Sequence, residues 1–148
     1  MGHPLSDDQR RTLTSVLDEL IPPSADGRLP GAGALGLADY VEQVVQATPE
    51  LAGMIAEGLA TLDDTARSRA GRAFADLAQP EKVALLHEQP FVFPLMFHVF
   101  TGYYKEPRVV AALGLEPRAP HPKGHEMAPV ELGLLDTVRR RAPFHRAC

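Results

Sequence analysis

Apolar residues in this chain recur at steps of three and four, and that spacing points to helices. Leu13, Val16, Leu17, Leu20 and Ile21 fall on one helical face, as do Leu37, Tyr40, Val41, Val44 and Val45, and again Leu51, Met54, Ile55, Leu59 and Leu62. Strict alternation, the mark of a half-buried strand, fails nearly everywhere. VFPLMF is the nearest approach to it, and prolines in and beside that run disfavour a central strand. The expected fold is all-α: a compact single-domain bundle of six or seven helices over residues 1–148, with no internal repeat. Length agrees, because 148 residues that are 45% hydrophobic and 23% charged can enclose one sizeable core but hardly two.

Helix boundaries are marked by caps and prolines. Ser6 with Gln9 three residues later forms a capping-box pattern, and Pro22–Pro23 ends the helix it opens. PPSADGRLPGAGALG then reads as a long loop. Thr48–Pro49 starts the third helix, whose continuation through the charged residues 63–72 the sequence does not decide. Phe74 and Leu77 read as core contacts around a turn, and Gln79–Pro80 opens a short helix presenting Val83, Leu86 and His87. PFVFPLMFHVFTGYY holds most of the aromatics and is expected to be a fully buried helix beginning near Pro90 or Pro94. Pro107 begins another short helix, which Gly114 ends in a left-handed conformation. EPRAPHPKGHEMAP follows as a proline-rich strap, and a last helix from Pro129 to Arg141 is expected to bury Val130, Leu134, Leu135 and Val138.

Several chemistries lack their residues. GAGALG at 31–36 resembles a phosphate loop, but no apolar strand precedes it and no βαβ unit surrounds it. No serine sits in a nucleophile elbow. The one cysteine, Cys148, is terminal, which rules out a disulfide within the chain. The adjacent pairs Asp7–Asp8 and Asp63–Asp64 point about 100° apart on a helix and do not face one another as acid and base. Candidate metal ligands are His98, His121, His125 and Glu126, but HPKGHE lacks the one-turn spacing of a helical metal site, and no metal is expected. The charge is uneven: residues 1–104 carry 7 Lys/Arg against 14 Asp/Glu, and residues 105–148 carry 8 against 5. Arg139, Arg140 and Arg141 form the only dense basic run, with no nucleic-acid module around them, so nucleic acid is not an expected partner. No apolar run reaches the length of a membrane span, and the N-terminal residues do not read as a secretory signal. The chain as given is expected to be cytoplasmic, or periplasmic where a leader has been removed.

FTGYYKEPRVVAALG concentrates the remaining interest. Tyr103 and Tyr104 end an apolar run, Gly102 lets another backbone approach, and Pro107 starts the next helix. Arg108 and Arg118 bracket this corner with cations suited to carboxylates. Three readings stand side by side: a corner clamp between two helices, a docking surface for a partner, and a site of chemistry. The last would use His98, Tyr103, Tyr104, His121 and His125 in a stand-alone small-molecule enzyme or a metal- or ligand-binding protein.

GYYKEPRVVAALG, then PRAPHPKGH, with IPP, PGAGALG and LADYVEQVV upstream, resembles the gluconate 2-dehydrogenase subunit 3 family from about Leu5 to Phe144. Two positions depart from the family pattern: Ala119 stands where a proline is often seen, and His125 where an aromatic is common. The resemblance implies a small, non-catalytic accessory subunit that binds and stabilises a large flavin-dependent dehydrogenase of the glucose-methanol-choline type acting on sugars or alcohols. It further implies FAD in that partner, none in this chain, and in many cases a cytochrome c subunit. Many members carry a twin-arginine leader. On this reading the partner-binding residues are Tyr103, Tyr104, Pro107, Arg108, Arg118, Pro120, Pro122 and Gly124.

Overall fold

Ser6 opens the first helix as its sequence predicts. Its Oγ accepts the Gln9 amide at 3.2 Å, and the Gln9 side chain accepts the Ser6 amide at 2.8 Å, so two amides with no partner inside the helix are satisfied reciprocally. The computed structural model describes residues 5–118, 124 and 131–142, and among them there is no strand. By its contacts the chain divides into two units, Met1–Pro117 and Arg118–Cys148.

The first unit contains α1 (Asp7–Leu20), α2 (Leu37–Gln46), α3 (Pro49–Ala70), α4 (Gln79–His87), α5 (Val92–Lys105) and α6 (Pro107–Ala112), with a single 3-10 turn at Phe74–Asp76. α1 touches α2, α3, α4 and the Phe74 turn, while α5 packs against α2 and α6. The core is formed by Leu13, Val16 and Leu17 of α1, Val41 of α2, Ile55, Leu59 and Leu62 of α3, Phe74, and Leu95, Val99 and Tyr103 of α5. α3 runs unbroken through residues 63–70, where Asp63 both accepts the Phe74 amide at 2.8 Å and pairs with Arg67 one turn on. That carboxylate pins the turn to the helix. α6 ends at Gly114, whose φ of +78° is available to glycine at little cost. The Gly114 amide donates to Ala111 and the Leu115 amide to Val110, the two bonds of a Schellman motif.

The periodic reading places some side chains wrongly. Met54 is 41% and Val83 38% exposed, and His87 is also exposed; the buried set on α3 is completed by Ala66 and on α4 by Leu85. Tyr40, Val44 and Leu51 are half-buried. The largest correction concerns α5, which is not fully buried. Its polar side chains His98, Thr101 and Lys105 occupy only one narrow stripe, which leaves two apolar faces, and packing decides which of them turns inward. Pro94 falls in its first turn, where the missing amide would have had no helical partner.

In the second unit a 3-10 turn, Leu132–Leu135, leads into a single turn of helix, α7 (Asp136–Arg139). The expected helix from Pro129 to Arg141 is thus shortened, with Gly133 in the stretch where helix would have to propagate. Leu135 and Val138, expected to be buried, are 45% and 59% exposed. Val130 and the side chain of Leu134 lie outside the described part.

Candidate functional site: the tyrosine corner and the outer face of α5

The corner at the end of α5 begins with a division of labour between adjacent tyrosines. Tyr103 turns into the core at 1% exposure, and its hydroxyl donates to the Pro30 carbonyl at 2.7 Å. Burial, and secondarily Tyr104, raises the Tyr103 pKa above the ordinary phenol value. Tyr104 is 55% exposed, its ring meeting that of Tyr103 edge to face at 5.2 Å. Of the two tyrosines assigned to a partner, only Tyr104 therefore offers its ring outward; Tyr103 is the clamp.

What Gly102 admits is a ring and not a backbone. A Cβ there would lie 2.4 Å from Cδ1 of Tyr40, so glycine lets α2 and α5 meet at this level. Lys105 lies over the same ring, its Nζ 3.9 Å from the centroid. Pro107 starts α6. Arg108 is exposed and pairs with Glu106 at 3.3 Å. Arg118 and Gly124 are exposed in the second unit, the latter at φ +69°. Pro120, Pro122, His121, His125, Glu126 and Cys148 lie outside the described residues.

The glycine-rich loop between α1 and α2 supports this corner. Asp18 accepts the Gly33 amide at 2.8 Å, and a Cβ on Gly33 would strike both that carboxylate and the Thr14 carbonyl. Arg28 donates to the Ala112 carbonyl at 2.8 Å, satisfying the C-terminal end of α6. GAGALG thus belongs to a brace that ties α1 to α5 and α6. A second tie joins α1 to α2. Glu42, only 2% exposed, accepts from Arg10 at 2.7 Å, and Arg10 also pairs with Asp39. These carboxylates raise the Arg10 pKa, hydrogen bonding to Asp39 being the largest cause.

Sequence reasoning missed the feature beside the corner. Phe93, Phe97, Phe100 and Tyr104 stand on the outer side of α5, at 83%, 71%, 37% and 55% exposure. Their spacing of four, three and four was a signal for one face, but the core-facing residues of the same helix share that spacing. Phe97 meets His98 edge to face at 5.4 Å, and His98 is half-buried. Among the described residues no three His, Cys, Asp or Glu side chains are grouped to hold a metal ion, and no single helix is long and apolar enough to cross a membrane.

A helical unit with one aromatic outer face, its tyrosine corner braced from within, defines the class of chain. Residues 7–110, from α1 into α6, match the family described as gluconate 2-dehydrogenase subunit 3, and the chain belongs to that family. The match ends before the proline-rich strap. Comparison with curated proteins and with solved structures finds no match.

Proposed function

We propose that this chain is the non-catalytic accessory subunit of a flavin-dependent dehydrogenase of the glucose-methanol-choline type. It binds and stabilises the large subunit, which holds FAD and oxidises a sugar or alcohol, in a complex that can include a cytochrome c subunit. The family description, which is that of a dehydrogenase subunit, supports a partnership. The observation that carries the reading is the outer face of α5, where Phe93 and Phe97 stand more than two-thirds exposed in the isolated chain. Aromatic rings gathered on one exposed face mark a surface meant to be covered.

The test is production of a glucose-methanol-choline-type flavoprotein dehydrogenase from the same organism, with and without this chain. Accessory function predicts a severalfold higher yield of soluble, flavin-loaded dehydrogenase when both are present. Equal yields, with the two proteins purifying apart, would contradict it.

A further inference from the structure

Glu19, in the last turn of α1, is only 12% exposed, and among the described residues its carboxylate takes part in no hydrogen bond. Its ion-pair partner, the Lys82 ammonium of α4, is 15% exposed and lies 3.9 Å away, too far for a hydrogen bond. Glu19 also lines an apolar groove. We propose that this groove binds a small neutral aliphatic alcohol, whose hydroxyl donates to the Glu19 carboxylate. The site does not depend on the accessory-subunit reading.

The groove measures about 270 Å³ and runs between α4, α5 and the end of α1. Leu20, Val83, Leu86, Val92 and Met96 give it apolar walls, and His87, its other polar residue, is exposed. The volume lies just below the usual range for drug-sized ligands, so the occupant is small.

Burial and charge fix the chemistry of the occupant. A molecule that fills the groove shields Glu19 from water, and a carboxylate shielded without a hydrogen-bond donor is costly. A purely apolar occupant therefore fits badly, and one carrying an O–H toward Glu19 fits well. A charged head group is disfavoured too. Lys82 already balances Glu19, so an alkylammonium would bring a second cation to one carboxylate, and an alkyl carboxylate would meet Glu19 with like charge. A short alcohol supplies what remains: an aliphatic chain for the walls and one uncharged donor.

The experiment titrates the full-length chain with hexan-1-ol and reads binding by ligand-observed NMR. Methyl pentyl ether, hexanoate and hexylammonium serve as comparators; the ether is an isomer of the alcohol that accepts but cannot donate. Hexan-1-ol should bind saturably, and each comparator roughly tenfold or more weakly, because a site that accepts a hydroxyl proton rejects analogues without one. Val83→Trp, which fills the groove from a position 38% exposed, should abolish binding and leave the melting temperature unchanged. Glu19→Met combined with Lys82→Met removes both charges together and should erase the preference for alcohol over ether. No saturable binding of hexan-1-ol by the parent chain overturns the proposal, as does parent-like binding by Val83→Trp. Equal binding of alcohol and ether by the parent also overturns it, and would mark the groove as plain apolar surface of the kind a partner's side chain fills.

Discussion

The hydroxyl of Tyr103 and the carbonyl of Pro30 lie 73 residues apart in sequence and 2.7 Å apart in space. That bond fixes the glycine-rich loop to the end of α5, while the adjacent Tyr104 is left on the surface. The two tyrosines of FTGYY thus separate the structural role from the exposed one, and substitution separates them experimentally.

Tyr103→Phe should lower unfolding free energy by about 1 kcal/mol, the usual net worth of one hydrogen bond. Tyr103→Ala, which also leaves a cavity, should cost about 3–5 kcal/mol. Tyr104→Ala should stay within about 0.5 kcal/mol, since it empties an exposed site. Denaturant titration of the three variants checks the order.

Alkaline pH gives a second readout of the same side chain. The folded-state pKa of Tyr103 is raised, with burial the first cause, so the fold disfavours its ionised form. The neutral phenol's contribution is fully present below the unfolded pKa of about 10 and is lost as pH rises from there through the folded value. The parent chain should lose stability above about pH 10 more steeply than Tyr103→Phe. Melting curves between neutral pH and that range test the difference.

Gly102→Ala should force the Tyr40 ring away from α5. The new Cβ would lie 2.4 Å from that ring, an overlap typically costing about 1–3 kcal/mol. Combining it with Tyr40→Ala should recover part of the loss, so the two changes should be non-additive in a double-mutant cycle. Additive losses would show that the ring is not what the glycine accommodates.

Much of this architecture was legible in the sequence, for identifiable reasons. Ser6, Pro49 and Pro107 announce helix starts through local chemistry, and local chemistry survives folding. GAGALG was read as a loop and is one, but its partner Asp18 lies on another element and could not be named. Glu42 was overlooked because a carboxylate on an apolar face is read as an edge residue until Arg10 arrives from α1. The α5 ridge was hidden for a different reason. With apolar residues on two faces of the helix, Phe93 and Leu95 look equally suited to the core, and only the packed neighbours distinguish them. The exposure of Phe93 and Phe97 was therefore not anticipated.

The Arg10–Glu42 pair makes another test. Arg10→Met would leave the Glu42 carboxylate buried without this guanidinium, which should cost roughly 3 kcal/mol, moderated because Arg10 is itself 30% exposed. Replacing both groups, Arg10→Met with Glu42→Leu, should restore much of that stability, as buried ion pairs exchanged for apolar neighbours often do. Thermal unfolding of the single and double variants compares them.

The central claim is that this chain is one part of a larger oxidoreductase. Its most direct test is size-exclusion chromatography of the chain mixed with a glucose-methanol-choline-type flavoprotein dehydrogenase from the same organism, with absorbance followed in both the protein and flavin bands. The account predicts one early peak containing both chains and carrying the flavin absorbance. Two separate peaks, with this chain eluting alone and colourless, would contradict it.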